Sequence, residues 1–426
     1  MLTDCPLDWF RGGLVRASVF AGVCLILCGQ FAVAGDWPQF RGPTGQGIAT
    51  DKGLPEEFGE DKNLLWKTEI PGRGWSSPVV MAGQIWMTSA RDDGKSLRAV
   101  CVDLKTGRIV HDVEVFTPND PLEVNAKNSH ASPTPVLAPG RVYVHFGAMG
   151  TACLDSKTGS ILWKTEELKI DHKEGPGSSP VLVDDLLVVH CDGRDLQYVA
   201  ALDTRDGKRK WKSNRSAPLR DNNEFKKAYC TPLLVESNGR RQLVSPGADQ
   251  VQGYDPTTGE ELWRVRYIGF SNVPRPIFLD GTLFVITGYM KPELWAIRPD
   301  GEGDVTKTHV LWTFTKQMPA NPSVLGVDGL IYSVSDLGVL VCLDALSGKP
   351  VWQERLGGNY WASPVLADGR LYFSSENGTI TVLAAGRTFE KLVETKLDGS
   401  IFASPAIVDG TLIVRTDKAL YRFGTK

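Results

Sequence analysis

A short pattern recurs eight times along this chain: a small or polar residue, then proline, then two or three apolar residues. It stands at Pro78-Val79-Val80, Pro135-Val136-Leu137, Pro180-Val181-Leu182 and Pro232-Leu233-Leu234, then at Pro276-Ile277-Phe278, Pro322-Ser323-Val324, Pro364-Val365-Leu366 and Pro405-Ala406-Ile407. Successive prolines lie 41 to 57 residues apart. Units of this length bury their apolar faces by stacking on neighbours, and the period matches one four-stranded propeller blade. Proline is tolerated at the first residue of a strand, where no ladder N–H is lost. The reading is all-β: a single eight-bladed β-propeller of four-stranded antiparallel blades.

Each unit continues in the same way. A second strand follows a Gly or Asp turn, as at Asp368-Gly369 before Leu371-Tyr372-Phe373. A third strand leads into a D-x-x-[TS]-G turn, at Asp103–Gly107, Asp155–Gly159, Asp255–Gly259 and Asp344–Gly348, with Asp203–Gly207 a variant. There the Asp side chain caps its own turn and the Gly supplies a positive φ. Trp163, Trp211, Trp263 and Trp352 stand four residues beyond the turn Gly, with His111 in that place in the first unit. The fifth unit is stretched by residues 298–307 before Trp312, and the seventh is degenerate at Ala384-Ala385-Gly386. Trp66 marks a fourth strand with no first three before it, while the last unit lacks a fourth. The N-terminal strand should therefore complete the last blade and leave no open edge.

Residues 1–34 read as a secretory signal. Arg11 and Arg16 precede an apolar run from Ala17 to Cys28, and Ala32-Val33-Ala34 offers an A-x-A cleavage site. Residues 35–59 form an N-terminal extension and 60–426 the propeller. Cys101, Cys153, Cys191, Cys230 and Cys342 would remain after cleavage. That odd number leaves at least one thiol unpaired. Cys101, Cys153 and Cys342 occupy equivalent positions of different units and should be small buried residues. A formal net charge of −3 argues against nucleic-acid binding, which needs a dense basic face.

The D-x-x-T-G-x-x-x-W units resemble the tryptophan-docking motifs of quinoprotein-like propellers. That family includes pyrroloquinoline quinone (PQQ) alcohol dehydrogenases and the non-enzymatic lipoprotein of the outer-membrane β-barrel assembly machinery. The resemblance covers about residues 60 to 426. Residues 36–43 (DWPQFRGP) and 128–133 (NSHASP) are similar to PQQ-like repeat proteins of planctomycete-type bacteria. The resemblance implies an exported propeller more firmly than any activity. It also implies that Trp66, Trp163, Trp211, Trp263, Trp312 and Trp352 pack between neighbouring blades.

A binding site should lie at the top mouth of the channel, where first strands begin and second-to-third turns return. Trp75, His130, Ser178, Tyr229, Asn272, Asn321, Trp361 and Phe402 are expected to ring it. Asp192, Arg194, Asp249, Asp336, Glu376, Arg415 and Asp417 come from the turn tips. Aromatics among amides and charges suit a polar ligand. Residues 116–130, 165–178 and 212–229 form long connections on the same face, carrying Lys127, Asn128, His130, His172, Arg220, Lys226 and Lys227. His130 ends the first of them, directly before a strand entry at the rim.

No H-E-x-x-H, zinc spacing, G-x-S-x-G, P-loop or adjacent cysteine pair is present. No metal site is expected. The first functional reading is an exported, periplasmic or secreted, non-catalytic binding or scaffold module. Its partners would be other envelope proteins or a small polar ligand, as a monomer with no spanning segment in the mature chain. The alternative is a PQQ- and calcium-dependent alcohol or sugar dehydrogenase. A hydrolase or lyase on the same scaffold is a third.

Overall fold

The computed structural model describes residues 35–425, so the expected export signal, with Cys5, Cys24 and Cys28, lies outside the described residues. Eight antiparallel sheets follow one another along the chain. Blade one, for example, runs through Val79–Met81, Gln84–Arg91, Ser96–Asp103 and Ile109–Phe116. The other first strands are Val136–Ala138, Val181–Val183, Leu233–Ser237, Ile277–Leu279, Leu325–Val327, Val365–Ala367 and Ala406–Val408. Seven of these eight begin one residue after the anchoring proline. Blade six differs: its first strand starts at Leu325, so Val324 holds the anchor position and Pro322 lies two residues upstream. The repeat is set by the small polar residue before the strand, which Ser323 keeps.

The last blade has only three strands of its own. Leu64–Glu69 supplies the fourth, antiparallel to Ala419–Phe423, with Lys67 opposite Tyr421 and Thr68 opposite Leu420. That pairing removes the one edge a ring of blades would otherwise expose.

Neighbouring blades are locked at the bottom turns. Each Asp of the D-x-x-[TS]-G turns folds back on its own loop, as where Asp103 Oδ1 accepts from the Thr106 N–H (2.7 Å) and hydroxyl (2.6 Å). The indole of one blade then reaches the next blade's turn. Trp66 donates to Leu104 O (2.9 Å), Trp163 to Thr204 O (2.9 Å) and Trp312 to Ala345 O (3.2 Å). Trp352 reaches Gly386 O (3.2 Å) despite the degenerate turn there. A glycine is needed under the Trp66, Trp163 and Trp312 rings: a Cβ on Gly207, already at φ +72°, would stand 2.6 Å from Trp163. Trp211 packs the same way over Gly259, though its N–H has no acceptor among the described residues. Trp263 bonds the Gln242 side chain of its own blade instead. The stretched fifth unit explains this, because Gly303–Asp304 adds a short parallel strand beside Trp263 and buries it completely.

Residues 36–49 take a course that no repeat describes. They run inside the ring, against first strands of distant blades. Trp37 exchanges backbone bonds with Val80 (both 2.8 Å), Pro38 O accepts from Leu137 N (2.8 Å), and Leu366 bonds both Gly47 and Ala49 (2.8 Å each). Arg41 is fully buried and donates to Val324 O (2.8 Å) and Gln46 O (2.9 Å). Arg275 donates to Phe40 O (2.6 Å) and Pro232 O (3.1 Å). A side chain at Gly45 would collide with the Arg275 guanidinium. The segment is a plug in the channel.

The five cysteines of the propeller are all buried and free. His145 and His190 are buried in the second strands of blades two and three. Desolvation drives the His145 imidazole down to about 3. Desolvation takes His190 to about 4, against the pull of Asp192 and with help from Arg215.

Three outcomes follow for stability. Trp263→Ala should cost about 3–5 kcal/mol, read as a lowered urea midpoint, because a fully buried indole leaves a void. Deleting residues 36–47 should also lower the midpoint while leaving the closing strand in place. Acid should destabilise the protein as pH falls from about 6.5, the unfolded histidine value, toward 4. The unfolded imidazoles take up protons there that the buried ones refuse. Urea midpoints at pH 7 and pH 5 measure this slope, and His145→Gln should flatten it.

Candidate functional site

The first strands run nearly along the channel, and the extended residues before each strand alternate in direction. Two tiers therefore face inward. Residues four before each strand form the upper tier: Trp75, Ser132, Gly177, Tyr229, Val273, Asn321, Trp361 and Phe402. Residues two before form the lower tier: Ser77, Thr134, Ser179, Thr231, Arg275, Ser323, Ser363 and Ser404. Every upper residue, and every lower one except Arg275, lines a single cavity of about 500 Å³. Phe40, at the head of the plug, also lines it. The cavity is thus a blind funnel, open at the top and closed by the plug.

The lower tier is a hydrogen-bonded ring. Ser77 N donates to Thr134 Oγ1 (3.0 Å), Thr134 N to Ser179 Oγ (2.9 Å) and Ser179 N to Thr231 Oγ1 (3.0 Å). Arg275 interrupts it, having no hydroxyl. The ring resumes from Arg275 N to Ser323 Oγ (2.9 Å), Ser323 N to Ser363 Oγ (2.9 Å) and Ser363 N to Ser404 Oγ (2.9 Å). Ser404 N to Ser77 Oγ (3.0 Å) returns to the start.

The upper tier is lopsided. Blades seven, eight and one contribute Trp361, Phe402 and Trp75. Trp75 stacks on Phe402 at 4.3 Å between centroids, and Trp361 lies 6.0 Å from Phe402. The facing wall is mixed: Gly177, Tyr229, Val273 and Tyr289 come from blades three to five, and the long connections of the early blades bring Asn125, Asn128 and Glu174. Asn128 braces two connections, donating to Glu174 O (2.7 Å) and Pro176 O (3.2 Å). Tyr229 donates its hydroxyl to the Glu174 carboxylate, which also lies 3.5 Å from Lys227 Nζ. Lys127 reaches over the Trp361 ring (5.8 Å) and pairs with Glu376, which also accepts from the Trp361 indole (2.8 Å). Desolvation acts to raise the Glu376 carboxyl, but the Lys127 and Trp361 bonds outweigh it and hold it below the usual range.

Of the residues singled out from sequence, Trp75, Lys127, Asn128, Tyr229, Asn321, Trp361 and Phe402 line the funnel. The others sit elsewhere. His130 turns outward, its Nε2 on Leu122 O (2.7 Å) and its ring over Gly94. Asp192 is buried with His190 and pairs with Arg215 at 3.0 Å. Arg194 bridges Asp171 (2.8 Å) and Glu224 (3.1 Å) on the rim. Asn272 is fully buried and braces Tyr267 (3.0 Å) and Ile286 O (3.2 Å). Asp336 caps the Ala320 N–H (2.7 Å) beside Asn321. Arg415 is buried between the last and first blades, bonded to Ser76 O (2.9 Å) and Thr88 O (3.1 Å). Desolvation lowers it to about 9, so it stays charged. The hydroxyl tier, Phe40 and Glu174 went unread as site residues, although the Ser/Thr-Pro anchors carried the signal for the tier.

Comparison with known proteins bears on this geometry. A curated relative, the outer membrane protein assembly factor BamB of Moranella endobia (strain PCIT), is 24% identical over 298 residues, covering 67% of each chain. The crystal structure of BamB from Moraxella catarrhalis superposes with a TM-score of 0.60 at 12% identity, over 85% of this chain and 99% of that one. A europium-containing methanol dehydrogenase superposes at 0.71 and 13% identity, over 92% and 98%. A quinohemoprotein alcohol dehydrogenase from Pseudomonas putida HK5 gives 0.64 and 14%, over 92% and 81%. At these identities the structural likenesses establish the fold alone. The family model described as outer membrane protein assembly factor BamB, a PQQ-like repeat, matches residues 64–235, 197–308 and 301–388, and the chain belongs to that family.

Proposed function

We propose that this protein is a non-catalytic binding or scaffold module of the cell envelope, acting through the top mouth of its funnel. The observation that carries this reading is that the ionised side chains lining the funnel, Lys127 and Glu174, are each held by a partner. Lys127 is held by Glu376, Glu174 by Tyr229 and Lys227, and Arg194 by Asp171 and Glu224. Groups tied to one another in this way brace and shape the mouth, which is what a docking surface requires. The relatives' role in outer-membrane protein assembly supports an envelope setting and envelope-protein partners. Residues 1–34 serve in this reading as a cleaved export signal, and the mature chain works as a monomer.

The dehydrogenase reading asks more of the funnel than its residues offer. A quinone-bound calcium takes six to eight oxygen ligands with carboxylates among them. Among the described residues no three Asp, Glu, His or Cys side chains converge as a metal site, and Glu174 is the one carboxylate in the lining.

Two measurements test the proposal. Titration with PQQ and Ca²⁺ should give no saturable binding and no dye reduction with alcohols or sugars. Saturable binding coupled to dye reduction would make the protein an enzyme. A photo-crosslinking residue at Tyr289, on the rim, should capture envelope proteins in cells, whereas one at Leu346, on a bottom turn, should not. Capture only from Leu346 would place the working face on the other side.

A further inference from the structure

The seven hydroxyls of the lower tier are at most 4% exposed, and each accepts a backbone N–H from the preceding blade. Among the described residues none of them donates its own proton to a protein acceptor. A hydroxyl that accepts one hydrogen bond is polarised toward donating another. The funnel therefore ends in a circle of buried O–H donors in need of acceptors. Behind Phe40 lie Arg41 and Arg275, both fully buried, bonded to carbonyls and an amide oxygen with no carboxylate partner. Burial lowers Arg41 to about 9 and Arg275 to about 10, so both stay charged near neutrality. Two uncompensated cations beneath a donor ring favour negative charge above it.

The wall decides the rest of the ligand. Trp361, Phe402 and Trp75 give an aromatic face on three consecutive blades, while across the funnel Tyr229 and Val273 stand beside Asn125 and Glu174, with the Tyr229 hydroxyl tied to the Glu174 carboxylate. An aromatic ligand without a polar rim would desolvate these amide and carboxylate groups and give them no new partners. A pyranose has a C–H face for the aromatic wall and a rim of oxygens for the polar groups across from it. We infer that the funnel binds an acidic saccharide: a sugar ring on the Trp361–Phe402–Trp75 face, with its carboxylate on the hydroxyl circle. This rests on the proposal that the mouth is the binding face, and leaves the outer rim free for envelope proteins.

Calorimetric titration of the purified protein tests this with four probes: digalacturonate, cellobiose, benzoate and PQQ. Digalacturonate should bind saturably, and cellobiose about tenfold more weakly for want of the charge. Trp361→Ala and Phe402→Ala should each weaken digalacturonate about tenfold with little change in melting temperature, since both side chains are partly exposed. Thr258→Ala, on a bottom turn, should bind as the parent does. Equal binding of cellobiose, tighter binding of benzoate or PQQ, or no saturable uronide binding would each overturn the assignment. The same follows if both aromatic variants bind like the parent. Rim crosslinking at Tyr289 that survives such a result would leave the envelope-docking reading standing and remove only the saccharide.

Discussion

The ring of blades depends on one problem of backbone chemistry. Where each first strand begins, an N–H points across the blade boundary and has no partner in its own sheet. A buried, unpaired amide is costly. In seven of eight places the hydroxyl of the next blade's lower-tier residue satisfies it. This fixes the spacing between blades at the channel, just as the indole-to-turn bonds fix it at the outside. It also explains the repeat as written in the sequence, because Ser or Thr before the anchor is what the neighbouring amide requires. The eighth place shows what is gained by an exception: Arg275 gives up a hydroxyl and reaches down to hold the plug.

Most of the fold was legible for this reason. Anchors, Asp turns and tryptophans all recur, and the unpaired Trp66 strand announced how the ring closes. The site was read less well, because its residues were counted back from prolines across connections of unequal length. The chain before each strand is extended, so only every second residue faces the channel. Trp75, Tyr229, Trp361 and Phe402 fall in that phase. His130, Ser178 and Asn272 do not, and Ser132, Gly177 and Val273 face the channel in their blades. A count in steps of two from the first strand would have found both tiers.

The plug was illegible for a different reason. Its contacts differ from blade to blade, among blades one, two, five, six and seven, and leave no periodic trace. Residues 36–47 contain Trp37, Phe40, Arg41 and three glycines, a composition that reads equally well as an exposed tail. Only the closed ring gives those side chains somewhere to go. The buried charges were hidden likewise. Asp192 and Arg415 look like rim groups on turn tips, yet tertiary packing encloses both and satisfies them with Arg215 and with backbone carbonyls.

The asymmetry of the funnel follows from connection length. The long links after blades one, two and three fold inward and lay polar side chains over one half of the mouth. The short links of the last blades lay no loop over Trp361, Phe402 and Trp75, and the Trp361 and Trp75 rings meet the Lys127 and Arg73 side chains instead. A three-blade aromatic face beside braced ion pairs suits the proposed recognition role, in which a ligand is gripped by shape and dispersion. The plug fits that role too, since a blind channel would hold a ligand at a fixed depth and admit it from one side. In that reading selectivity would reside in the upper tier, where blades differ. Stability resides in the lower tier, where all but one are alike.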